Sequence, residues 1–323
     1  MRRLLSTLTL VLLASITSLT FAQNDPHFSL FEFSQLTYNP GYAGSNNGIC
    51  VSSVHRQQYV GFNRDPLNGG KSGRPITTVF NAEMPLKAIN SGVGLSIIQD
   101  MIGFQSDLAL NVSYAYRVDL GYGSLGIGLN LGFINRTIDG DWITPESLGG
   151  GTVYTDPAVP HSESKVAFDM GFGAFFKYDK FYAGLSFTHL LQPSINFDIE
   201  SPSYIKRHYY LVGGYNYQLP NPTFEVRPSL LMQFDGATTQ FTFNGQFVYS
   251  KKIWGGISYR YNDAISPMLG IYLMNGLSFA YSYDIELSPL STYSSGSHEI
   301  MVRYCFNADF GGDPGRYRSV RRL

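Results

Sequence analysis

Three residue types able to run hydrolytic chemistry stand side by side at Ser297-His298-Glu299. A general base has to lie within hydrogen-bond reach of its nucleophile, with a third group to orient it. In an extended segment neighbouring side chains point to opposite faces, so Ser297 and His298 face apart while Ser297 and Glu299 share a side. The six histidines are scattered, and no pair stands at the spacing that holds a metal ion. Gly149-Gly150-Gly151-Thr152 is glycine-rich but lacks the lysine and the strand-to-helix context of a phosphate loop. No catalytic residues, cofactor site or metal site are therefore expected, and the protein reads as a non-enzyme.

The elements that carry these residues follow from period-two alternation, which starts near Gly48 and recurs to Phe306. Leu108, Leu110, Val112, Tyr114 and Tyr116 share one face; Asp107, Asn111, Ser113 and Arg117 share the other. Alternation against turn signals predicts fourteen strands, at 48–59, 75–83, 91–99, 105–117, 123–136, 166–178, 180–190, 206–219, 223–235, 239–250, 252–261, 265–274, 276–287 and 297–306. Asn275-Gly276 is a strong hairpin signal. The long connections, 60–74, 137–165, 191–205 and 288–296, all follow odd-numbered strands. In an up-and-down meander they emerge on one side, as the outer loops of a bacterial outer-membrane barrel do. A soluble β-sandwich also alternates, but its strands run nearer five or six residues, and this apolar face is too rich in Phe, Tyr and Leu to be left in water.

Composition agrees. Charged residues make up 15% of the 323 and the net charge is −1, which argues against nucleic-acid binding and against disorder. Residues 1–22 read as a signal peptide: Arg2 and Arg3, an apolar run from Leu4 to Ile16, and Thr20-Phe21-Ala22 for cleavage. No later stretch approaches 18 consecutive apolar residues, so a bilayer is crossed by strands closed into a barrel. The expected organisation is a signal peptide (1–22), an N-terminal periplasmic or plug segment (23–47), an outer-membrane barrel (48–306) and a basic periplasmic tail (307–323) holding Arg316, Arg318, Arg321 and Arg322. Both termini are expected in the periplasm.

Arg117, Arg136, Asp169, Lys177, Arg227, Arg260, Asp284, Glu299 and Arg303 fall on polar strand faces. A midplane Arg or Lys facing lipid costs about 2–4 kcal/mol, so these charges are assigned to the lumen, where both signs favour salt-bridged filling over an ion-selective channel. Cys50 and Cys305 fall on the first and last strands, which become neighbours on closure; a seam disulfide and two free thiols are both open. The longest outer loop carries Trp142 and Tyr154, a candidate contact surface for a partner.

An ordered series of segments carries a resemblance. It runs through Asp25-Pro26-His27-Phe28-Ser29, Asn39-Pro40-Gly41-Tyr42-Ala43-Gly44, Arg56-Gln57-Gln58-Tyr59 and Gly92-Val93-Gly94-Leu95-Ser96. It continues with Tyr114-Ala115-Tyr116-Arg117, Thr188-His189-Leu190, Tyr281-Ser282-Tyr283-Asp284-Ile285 and Gly296-Ser297-His298-Glu299-Ile300. The series resembles the PorP/SprF family of outer-membrane proteins associated with the type IX secretion system. The resemblance implies a barrel, surrounded by outer-membrane lipid, that helps deliver or hold large secreted proteins at the cell surface, gliding adhesins among them. It also implies contact with other components of that machinery.

Residues 23–46, rich in Phe, Tyr and Asn, are similar to the N-terminal hatch of FadL-type barrels, which carries an Asn-Pro-Ala turn and folds into the lumen. Asn39, Pro40, Gly41 and Tyr42 are the matching plug candidates, with Gly41 standing where the turn usually has alanine. A periplasmic tail is the other reading of this segment. An uptake channel for hydrophobic or small solutes is the alternative function.

Overall fold

The computed structural model describes residues 25–46, 48–61, 73–138, 162–195, 197, 203–273 and 275–307. The expected signal peptide, the loop residues Trp142 and Tyr154, and the basic tail beyond Asn307 lie outside the described residues.

Fourteen strands close into one antiparallel barrel. They are β1 (Ile49–Gln57), β2 (Ile76–Leu86), β3 (Ser91–Ile102), β4 (Gln105–Asp119), β5 (Ser124–Ile138), β6 (Glu163–Lys177) and β7 (Phe181–Thr188). They continue as β8 (His208–Tyr215), β9 (Phe224–Phe234), β10 (Thr239–Tyr249), β11 (Ile253–Arg260), β12 (Ala264–Tyr272), β13 (Leu277–Glu286) and β14 (Ser297–Phe306). Each strand pairs with its sequence neighbour, and β14 pairs with β1 to close the ring, Cys50 standing opposite Cys305. Closure leaves no unpaired sheet edge, which a lipid environment requires.

The strands follow the alternation to within a few residues at their ends. One differs: the segment expected at 206–219 is interrupted between Tyr215 and Tyr217, opposite Arg227-Pro228 of β9, where proline has no N–H to give the ladder. Asn216 still bonds the Lys180 carbonyl at 2.6 Å in the β7 register, and Tyr217–Gln218 pairs with β9 alone. At Asn275-Gly276 the chain reverses with Gly276 at φ 85°, a left-handed conformation that glycine adopts without steric cost. The long connections after β1, β5, β7 and β13 emerge at one end, and short turns occupy the other.

The outer face is apolar, with Leu110, Val112, Leu131, Phe133 and Leu269 each more than 40% exposed. Tyr116, Tyr215, Tyr249 and Tyr304 lie outward near the short-turn ends of their strands, where an aromatic girdle meets the lipid headgroups. No helix among the described residues is long and apolar enough to cross a membrane.

Candidate functional site: the occupied lumen

Residues 25–46 run inside the barrel, from Asp25 near the long loops to Gly44 beside Glu83 near the short turns, and then join β1. They form two short 3-10 turns, Phe31–Phe33 and Pro40–Tyr42, around a single helical turn α1 (Gln35–Tyr38). Asp25, the first described residue, lies at the long-loop end, whereas β14 ends at the short-turn side.

Hydrophobic burial drives this seating. Phe28, Leu30, Phe31 and Phe33 are all 8% exposed or less and pack against Val54, Trp254, Met268 and Met301 of the wall. Phe33 stacks on Trp254 with ring centroids 5.8 Å apart. Each such side chain contributes about 1.5–3 kcal/mol relative to exposure. The centre of the lumen is thus apolar, and charge fills only its flanks. Val54, Trp254 and Met301 stand in the polar phase of their strands because the plug, and not water, is their neighbour.

On the β1 and β11–β14 flank a buried ion network clamps the plug backbone. Arg56 donates to Asp284 at 2.6 Å and to Glu299 at 3.1 Å. Arg260 reaches Asp263 at 2.7 Å, Asp284 at 3.4 Å and Ser29 Oγ at 2.9 Å. The N–H groups of Ser29 and Leu30 donate to the two carboxylate oxygens of Glu299 at 2.9 and 2.8 Å. Asn244 Nδ2 donates to the Ser29 carbonyl at 2.9 Å. Each charge of this network has an opposite partner, so desolvation is offset by pairing and hydrogen bonds.

On the β5–β7 flank the wall approaches the plug through glycines. The Asn39 side chain accepts from Gly41 N at 2.9 Å and donates to the Ala174 carbonyl at 3.0 Å. Pro40 and Gly41 lie directly on Gly126, Gly128 and Gly173, so a Cβ on Gly41 would meet the Gly126 carbonyl oxygen at 2.7 Å. The departure from Asn-Pro-Ala thus has a steric reason here. Tyr42 packs edge-on against Phe175 at 5.1 Å.

The other charges singled out in the sequence also project inward. Arg117 donates to the Gly41 and Ala43 carbonyls at 3.4 and 3.3 Å, and Lys177 to the Ser45 carbonyl at 3.2 Å. Arg136 pairs with Asp107 at 2.6 Å and Arg227 with Glu225 at 3.0 Å. Arg303 lies beside Cys50. Cys50 and Cys305 are joined as a disulfide across the seam. His298 turns outward, its Nδ1 against the Tyr281 hydroxyl at 2.7 Å, while Ser297 Oγ donates to Glu286 at 3.1 Å. The Ser-His-Glu run makes no dyad.

Near the long loops, three groups meet that sequence spacing kept apart. Asp25 Oδ1 lies 3.0 Å from His189 Nε2, Asp25 Oδ2 accepts from the Tyr210 hydroxyl at 2.6 Å, and His208 Nδ1 is 3.6 Å from Asp25 Oδ2. His189 Nδ1 is in turn 2.6 Å from Asp169 Oδ2. Asp25 and His189 both lie outside the strands. Burial opposes charge on each, yet pairing wins: His208 and His189 hold Asp25 well below the usual carboxylate range, and Asp25 and Asp169 raise His189 to about 10. A cavity of about 280 Å³ adjoins the group, lined also by Phe28, Ile98 and Ile134. Arg56, Glu83, Asp25, His189 and His208 were not singled out as site residues, although Asp25, Arg56 and His189 stand in the segments that carry the family resemblance.

No curated protein matches the chain. Among solved structures, a mutant of the TodX monoaromatic hydrocarbon channel is similar, with TM-score 0.50 and 10% identity over 84% of this chain and 94% of that one. A Pseudomonas aeruginosa FadL homologue gives TM-score 0.46 and 12% identity over 83% and 93%. The Acinetobacter baumannii outer membrane protein Omp33 gives 0.46 and 7% over 80% and 99%. The first of these likenesses concerns the fold alone, that of a closed β-barrel. The family model for the type IX secretion system membrane protein PorP/SprF matches residues 20–304. With nearly the whole length matched, the chain belongs to the PorP/SprF family of type IX secretion system membrane proteins.

Proposed function

We propose that this barrel is a non-enzymatic surface platform, supporting the export or anchoring of one very large secreted partner, such as a gliding adhesin. The observation that carries the reading is the occupied lumen: residues 25–46 fill it and Glu299 holds their backbone at Ser29 and Leu30. A barrel filled by its own chain offers a folded protein no passage, so its working surface is the long-loop end. Trp142 and Tyr154 belong to the longest of those loops and are assigned to partner contact. Membership of a secretion-system family favours contact with other components of that system.

A second reading, an uptake channel for hydrophobic or small solutes, rests on the partly apolar cavity beside Asp25. Deleting the gene and comparing cell-surface proteins separates the two. The platform reading expects one very large protein to vanish from the surface while solute uptake persists. Unchanged surface contents together with lost uptake would reverse the choice.

A further inference from the structure

The group around Asp25 differs from the other lumen charges in how its imidazoles are held. His189 follows β7 and His208 opens β8, so both belong to the wall, whereas Asp25 belongs to the plug. His189 Nδ1 sits on Asp169 Oδ2 at 2.6 Å, which turns its Nε2 toward Asp25 Oδ1 at 3.0 Å. His208 Nδ1 sits on the Lys206 carbonyl at 3.1 Å, and its Nε2 faces the Asp25 backbone N–H at 3.3 Å. Each ring thus has one nitrogen on a carboxylate or carbonyl oxygen, as metal-bound histidines do when an outer partner fixes their tautomer. Tyr210 and Thr188 hydroxyls hold Asp25 Oδ2 at 2.6 and 3.4 Å and orient the carboxylate. One donor atom from each of Asp25, His189 and His208 lies within 4.8 Å of the others. The adjoining cavity leaves room for a water as a further ligand.

We propose that Asp25, His189 and His208 form a site for a divalent transition-metal ion of the zinc class, which pins the leading end of the plug to the β7–β8 wall. Two imidazoles with one carboxylate suit zinc and its neighbours; calcium and magnesium take oxygen ligands. Binding replaces two contacts, Asp25 with His189 and the Asp25 N–H with His208, by bonds to one ion, and releases the proton carried between them. Asp169 is a positioning residue, acting through His189. This inference is independent of the platform reading, since a pinned plug serves a channel equally.

The test uses the full-length protein in detergent, stripped with a chelator and titrated with zinc by calorimetry and with cobalt by visible absorption. One ion per chain is expected, with His189→Gln and His208→Ala each abolishing the cobalt spectrum. Asp169→Asn is expected to weaken zinc binding about 10- to 100-fold. Where a variant fails to fold, the unaltered protein decides: saturating zinc is expected to shift the imidazole NMR signals of His189 and His208. Absence of stoichiometric zinc binding, binding that survives both histidine substitutions, or imidazole signals of the two histidines unmoved by saturating zinc would each overturn the proposal.

Discussion

Two flanks of the lumen hold the same plug by opposite physical means. Along β1 and β11–β14 the wall reaches inward with Arg56, Arg260, Asp284 and Glu299 and clamps the Ser29-Leu30 backbone. Along β5–β7 it presents bare backbone at Gly126, Gly128 and Gly173, on which the Asn39–Tyr42 turn lies. The first flank is vulnerable to loss of an atom, because an unpaired buried charge is expensive. The second is vulnerable to gain of one, because no space remains.

The most severe perturbation removes both contacts at once. Deleting residues 23–46 should leave a barrel with several-fold higher conductance in planar bilayers than the intact protein; identical currents would mean the plug does not block the lumen. Next comes Glu299→Ala, which leaves Arg56 with Asp284 alone and two buried plug N–H groups without an acceptor, at a cost of about 1–3 kcal/mol for each N–H. Limited proteolysis within 25–46 should report it, and protection equal to that of the unaltered protein would demote the clamp.

On the glycine flank, Gly128→Val should cost about 1–3 kcal/mol by overpacking against Pro40. Gly245→Ala, where open space stands beside the backbone, should leave the denaturation midpoint unmoved. Equal behaviour of the two variants would remove the steric distinction. The mildest effect is on pH. His189 has its pKa raised to about 10, so the pairing with Asp25 is fully present below the ordinary histidine value and is lost as pH rises through about 10. With chelator present, NMR titration of His189 should show that raised midpoint, and a midpoint near 6.5 would contradict the pairing.

Strand number, parity and the inward placement of charges were legible because alternation is local: each residue's face follows from its neighbours two positions away. The interruption at Asn216 was not, since its cause stands on the facing strand: Pro228 has no N–H to give the ladder, and alternation within 206–219 carries no mark of it. The plug's path was invisible for a different reason. Residues 25–46 have no strand periodicity, and their partners are remote: Asn39 meets Ala174 across 135 positions and Ser29 meets Glu299 across 270. Apolar wall residues such as Val54 and Met301 make sense only against Phe28–Phe33.

The residue order alone was enough for a closed, lipid-facing cylinder with charged side chains turned inward, because a bilayer penalises any other placement of those side chains and of unpaired backbone. Which glycine receives which turn, which carboxylate grips which amide, and that Asp25 meets two histidines from the wall depended on closure of the ring. Closure brings side chains from opposite walls within bonding distance, and no local periodicity encodes that geometry.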